Sequence, residues 1–382
     1  MSEVILFTRE ISAVPERLVK NGKPVFGIFK GCPKRLDIKG VKDPFVSFPG
    51  PRIFSNLRIK SSLMFMFSIG QYIGVVDFFD QKVFGYAEVL FWNKETKRKF
   101  SYRKLMGPRR RFIPHNMILG FCASFWKNRY IRISWDHARN RFSAVFNLKG
   151  DSSRPSASAA FRASYMDATM NETVSVTPFP TKRRCSATYF STPLIHGSLS
   201  LGATNLSGAV NMPDSNGHSL LKVNRAYYNI SYEGEFALLS GMVEVRKTVS
   251  VKDADGNETV ETISSMKRVS LHLSGAGENQ VDADRLNPNF ISVDGNVTPL
   301  PSVRITHSAG FMREWIIQDF ENMVDLTFTP SLNHVRDMSL LFLASNTRTI
   351  FGKFEGVLKT SENEVVVLRN FEGIVRSQTM RL

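Results

Sequence analysis

Apolar and polar residues alternate along much of this chain with a period of two, and that constrains its fold more than any other feature. In Tyr130-Ile-Arg-Ile-Ser-Trp135, the residues Ile131, Ile133 and Trp135 fall on one face and Arg132 and Ser134 on the other, as in a half-buried strand. The segment 116–126 before it joins it through Lys127-Asn-Arg129 as a hairpin. Residues 242–251 and 258–263 flank Asp253-Ala-Asp-Gly-Asn257, whose side chains suit a tight turn. A third hairpin pairs residues 349–358 with 365–368 across Ser361-Glu-Asn-Glu364. Helical spacing shows only weakly, around residues 337–344. Many short strands joined by polar turns predict an all-β chain of antiparallel barrel or sandwich halves with few short helices.

With 382 residues there is room for about two domains. The charge divides them. Residues 1–190 hold 33 Lys/Arg against 13 Asp/Glu, net +20, and residues 191–382 hold 17 against 21, net −4. The expected organisation is a basic N-terminal β domain, 1–190, and a near-neutral to acidic C-terminal β domain, 191–382. The small-residue stretch 150–160 reads either as a linker or as a loop leading into a strand over 156–165.

The basic excess is densest at Lys94, Lys97, Arg98, Lys99, Arg103, Lys104, Arg109, Arg110 and Arg111, with one acid, Glu95, and with Phe100 and Tyr102 interleaved. Lys182, Arg183 and Arg184 add to it. Cations at this density attract polyanions. The expected role is that of a non-enzymatic structural protein docking through these residues on an anionic assembly: a cytoskeletal polymer such as microtubules, through the acidic tails of tubulin, or a ribonucleoprotein or other nucleic acid. A solvated hairpin whose charge keeps a sheet edge from aggregating is the plainer alternative.

Signals for chemistry are sparse. Cys32, Cys122 and Cys185 form no C-x-x-C pair and read as reduced, packed thiols. Asp136-His137 is the single adjacent acid and imidazole pair, but neighbours on a strand point to opposite faces, so a turn position is expected. The other histidines lack the spacing of a metal helix, and no phosphate-binding, dinucleotide or nucleophile-elbow motif is present. No catalytic residue, metal or cofactor is therefore assigned. Glu3 stands where a secretory signal carries positive charge, and no apolar run reaches ~18 residues, so a cytoplasmic chain without a transmembrane segment is expected, cytoskeleton-associated if the docking role holds.

Four regions together resemble the family known as domain of unknown function 2804. They are Thr8-Arg-Glu-Ile-Ser-Ala-Val-Pro15 with Gly22 and Pro24-Val-Phe-Gly27; Asp77-Phe-Phe-Asp80 with Gly85-Tyr-Ala-Glu-Val-Leu-Phe91; Val176-Thr-Pro-Phe179; and Asp325-Leu-Thr-Phe-Thr-Pro330 with Phe351-Gly-Lys-Phe-Glu-Gly356 and Phe371-Glu-Gly373. The resemblance implies two lipocalin-like β-barrel halves related to carotenoid hydratase-type proteins. It also implies a second reading of function, as a binder of, or an enzyme acting on, a lipid or isoprenoid-like apolar ligand inside a barrel. One departure stands out. Where the family's central motif has an acid and a tryptophan before its arginine, this chain has Lys222 and Val223; it keeps Arg225, and has Ala226, Tyr228, Gly234 and Phe236 at the following positions. Any chemistry carried by that acid is absent here.

Overall fold

Ile131, Ile133 and Trp135 are buried and Arg132 is exposed, as their alternation requires. The computed structural model describes residues 9–45, 56, 58–82, 84–107, 112–152, 154–204, 208–252, 258–275, 282–340 and 343–381. They divide into two units, Ile11–Asn229 and Ile230–Leu382, the second including Met1–Glu10.

The first unit runs β1 (Ile11–Ala13), β2 (Val19–Lys20), β3 (Lys23–Pro24), β4 (Gly27–Lys30), β5 (Ile59–Ile69), β6 (Tyr72–Asp80), β7 (Gly85–Asn93) and β8 (Lys99–Met106). It continues through β9 (Leu119–Trp126), β10 (Arg129–Asp136), β11 (Arg141–Leu148), β12 (Ala157–Ser164), β13 (Glu172–Pro178), β14 (Cys185–Ser191), β15 (Leu194–Leu201) and β16 (Val210–Tyr227). β16 is the axis: its first half pairs with β15, and its second half with β14 on one edge and β5 on the other. One wing then runs β5-β6-β7-β8, another β15-β12-β11-β10-β9, and a third β14-β13-β4, with β1 parallel to β4. The first two wings pack face to face. Phe65 meets Phe142 at 5.2 Å between ring centroids, Phe67 meets Phe161 at 5.1 Å, and Phe91 meets Phe146 at 6.3 Å. Each such buried ring contributes about 1.5–3 kcal/mol relative to exposure.

β6 and β7 are buried along their whole length, which explains their nearly continuous apolar sequences. Gly70, at φ +49°, makes the turn between β5 and β6 that an L side chain would strain. Of the stretch read either as a linker or as a loop leading into a strand, the described residues among 150–156 lie in no strand and β12 follows from Ala157, so the second reading holds.

The second unit is one antiparallel sheet ordered β20 (Asn296–Pro299), β19 (Phe290–Val293), β18 (Glu258–Ser274), β17 (Ser231–Lys252), β25 (Glu364–Arg381), β24 (Leu343–Lys359), β23 (Val324–Leu340), β22 (Trp315–Gln318) and β21 (Arg304–His307). Trp315, Phe328 and Phe354 are fully buried at its core. Arg9 belongs to this unit: its guanidinium binds the Asp284 carbonyl at 2.6 Å and the Glu321 carboxylate. The weak helical spacing around 337–344 is overridden. Asp337 pairs with Asn346 and Ser339 with Ala344, because the β23–β24 ladder satisfies their backbone groups.

β15 and β16 lie beyond residue 190 yet complete the first sheet, and the charge follows these units more sharply than the sequence halves. Residues 11–229 hold 34 Lys/Arg and 12 Asp/Glu, net +22, leaving 16 and 22, net −6, to the rest.

Candidate functional site

β13 alternates Glu172, Val174 and Val176 toward the core, and the two valines are fully buried. Glu172, its first residue, therefore stands where that core meets the end of the sheet. Four other polar side chains arrive at the same end. Cys32 lies two residues past β4, whose Lys30 pairs with Thr173. Tyr189 lies on β14 beside Val174. His137 opens the turn between β10 and β11, and Tyr165 follows β12.

Glu172 Oε1 accepts from the Tyr189 hydroxyl and stands 2.8 Å from His137 Nε2. His137 Nδ1 faces the Ile118 carbonyl at 3.2 Å, and its ring stacks on Tyr165 at 3.9 Å between centroids. Both imidazole nitrogens thus face acceptors. The imidazole and the carboxylate hold one proton between them, on whichever partner carries it. Cys32 Sγ contacts the Met117 carbonyl at 3.6 Å. Burial, then the negative charge of Glu172, pushes the Cys32 thiol well up. Burial first, and then Glu172 and Cys32, likewise raise the Tyr165 phenol. The Tyr165 hydroxyl is buried with no hydrogen-bond partner.

Cys32, His137 and Glu172 are a donor set suited to zinc, with one ligand atom from each within 4.8 Å of the others. Around a tetrahedral ion, however, N and O ligands at about 2.0–2.1 Å stand about 3.3 Å apart. In this structure His137 Nε2 and Glu172 Oε1 stand 2.8 Å apart, at hydrogen-bond distance.

Arg225 holds the loop that frames this end. Its buried guanidinium donates to Ser61 Oγ at 2.8 Å and to the carbonyls of Ile113 at 2.6 Å and Pro114 at 3.0 Å. The same loop supplies the Met117 and Ile118 carbonyls to Cys32 and His137, and the Asn116 carbonyl to Trp135 Nε1 at 3.1 Å. The altered motif positions are packed: Tyr228 is buried edge-on against Phe179, Lys222 lies over Phe190, and Phe236 stacks on His272.

A second polar row crosses the other face of the sheet. Lys222, Met64, Asp77, Glu88 and Arg103 are successive cross-strand partners, so they share a face, and both carboxylates are buried.

Among the described residues, the cations singled out in the sequence occupy several parts of the unit. Asn93 Oδ1 accepts from the Glu95 and Thr96 amides to build the β7–β8 turn, which holds Lys94, Lys97 and Arg98, with Lys99 beside it. Lys182 and Arg183 occupy the β13–β14 turn. Successive pairings from β14 to β8 put these turns at opposite ends of the sheet, about 25–30 Å apart along nine-residue strands. Arg184 turns inward, donating to Asn229 Oδ1 at 2.8 Å with its guanidinium 4.6 Å from the Phe45 ring centroid. Arg103 is exposed and Lys104 half-buried, its ammonium 3.3 Å above the Trp126 ring. Arg109, Arg110 and Arg111 lie outside the described residues, as does the turn 253–257.

Among solved structures the chain is similar to CghA with Sch210972, at 9% identity and TM-score 0.44, covering 85% of this chain and 88% of that one. It is also similar to kievitone hydratase from Nectria haematococca, at 11% identity and TM-score 0.39, covering 83% and 88%. No curated protein matches it. The family model described as Domain of unknown function (DUF2804) matches residues 8–382, nearly the whole chain, and the protein belongs to that family.

Proposed function

We propose that this protein binds, and acts by proton transfer on, a small and largely apolar organic molecule whose hydroxyl or carbonyl group enters beside Tyr165 and Glu172. The observation that carries this reading is the Tyr165 hydroxyl: a buried phenol without a partner costs about 1–3 kcal/mol, and a ligand atom in its reach removes that cost. The neighbouring residues supply the chemistry. The proton of the His137–Glu172 hydrogen bond is placed for transfer, and Tyr189 steadies the carboxylate.

Docking on a cytoskeletal polymer draws less support: among the described cations, Lys94–Lys99 and Lys182–Arg183 lie at opposite ends of a sheet and Arg184 turns inward. Native mass spectrometry of the full chain purified from cells tests the proposal. A small molecule retained by the wild type and lost from Glu172→Gln and Tyr165→Phe is the expected result; a wild type that is always bare overturns it.

A further inference from the structure

β9 exposes four large apolar side chains, Leu119, Phe121, Phe125 and Trp126, between 55% and 60% of whose surface is open. Its alternate residue Cys122 is buried in the core, so the exposure is not a slipped register: β9 pairs with β10 residue for residue. Leu119, Phe121 and Phe125 fall at alternate positions and share the outer face, while Trp126 stands on the alternate side at the hairpin tip. Apolar side chains so exposed on an edge strand are a costly surface that marks contact with something. Cations surround them. The Arg132 guanidinium lies 5.1 Å from the Phe121 ring centroid, and the Lys104 ammonium 3.3 Å from that of Trp126. Lys127 is exposed at the hairpin tip, and Arg129 donates to the Arg103 carbonyl at 3.2 Å. Between Glu95 and Asp136 the chain carries eleven Lys/Arg and no acid.

We propose that the β9–β10 hairpin docks on an anionic phospholipid membrane surface, its apolar side chains entering the headgroup boundary and its cations meeting the lipid phosphates and carboxylates. Two other occupants fit less well. Single-stranded nucleic acid binds by stacking bases on open ring faces, whereas Arg132 and Lys104 each occupy one ring face of Phe121 and Trp126, and Phe125 packs on Tyr130 at 5.2 Å, which leaves fewer faces for bases. A second copy would bring a unit of net charge +22 against its like. The inference stands independently of the ligand reading.

Co-sedimentation of the full chain with phosphatidylcholine vesicles, with and without phosphatidylserine, tests it. Binding should require phosphatidylserine and weaken with salt, fall about 5-fold for each of Lys127→Gln and Arg132→Gln, and fall about tenfold or more for the triple variant Phe121→Ser, Phe125→Ser, Trp126→Ser. These side chains are exposed, so the fold should persist by circular dichroism; Trp126→Ser alone gives the same reading, in smaller degree, should the triple variant misfold. No binding to anionic vesicles, or binding indifferent to the aromatic substitutions, overturns the proposal. So does preferential binding of oligouridine or a dimer lost in the triple variant, which would assign the hairpin to RNA or to a second copy.

Discussion

Replacing Arg225 by Lys should destabilise the protein more than replacing it by Met. The guanidinium is 2% exposed, and burial lowers its pKa from 12.5 to about 10 despite Asp37 and Asp80 nearby. That shift corresponds to about 3 kcal/mol opposing the charge. Met removes the penalty but leaves the Ile113 and Pro114 carbonyls unpartnered at about 1–3 kcal/mol each. The balance runs from a gain of about 1 to a loss of about 3 kcal/mol. Lys retains a charge, more strongly hydrated than that of Arg, and cannot span three acceptors from one atom. A buried charge short of partners costs about 3–5 kcal/mol. Urea unfolding reads the difference: with slopes of about 1–3 kcal/mol/M, the Lys midpoint should fall about 1 M below the Met midpoint. Amide exchange at Met117 and Ile118 should quicken in both variants, because the loop loses its anchor. A Lys variant as stable as the Met variant, or more so, refutes the account.

Three further outcomes follow from local geometry. Gly352→Ala places a Cβ 2.3 Å from the Thr329 carbonyl and 2.6 Å from Phe328 Cζ, and thermal unfolding should show a loss of about 1–3 kcal/mol. Glu172→Gln removes the charge that, after burial, raises the Cys32 thiol, so the pH profile of Cys32 alkylation should move to lower pH while buried Cys122 and Cys185 stay inert. His115 is held at about 4, below its ordinary 6.5, by burial and then by Arg225. The unfolded chain takes that proton first, so its contribution is complete above pH 6.5 and is lost as pH falls toward 4. His115→Gln should flatten that part of the stability–pH curve.

The sheet was legible in the sequence wherever one face is wet. The alternation at Ile131, Ile133 and Trp135, and the three hairpins read from it, are present in the described strands. The weak helical spacing at 337–344 misled because a strand with both faces partly covered has no strict period. The candidate site was not legible. Asp136 ends β10 and only His137 enters the turn after it; the partner of His137 is Glu172, 35 residues on, on a strand that the sheet reaches from β10 only through five others. Cys32 read as a packed thiol because nothing in its spacing shows Tyr189 or Glu172 beside it. The charge was legible as a quantity and not as a surface: Lys94–Lys99 and Lys182–Arg183 are alike in composition and opposite in position.

The central claim is that the Tyr165 hydroxyl is unpartnered within the protein and awaits a ligand. The unfolding free energy of ligand-free Tyr165→Phe tests it most directly. Removing a hydroxyl with no partner should leave stability unchanged or raise it by up to about 1–3 kcal/mol. A loss of about 1 kcal/mol or more would mean that the hydroxyl is already bonded within the protein, and would contradict the claim.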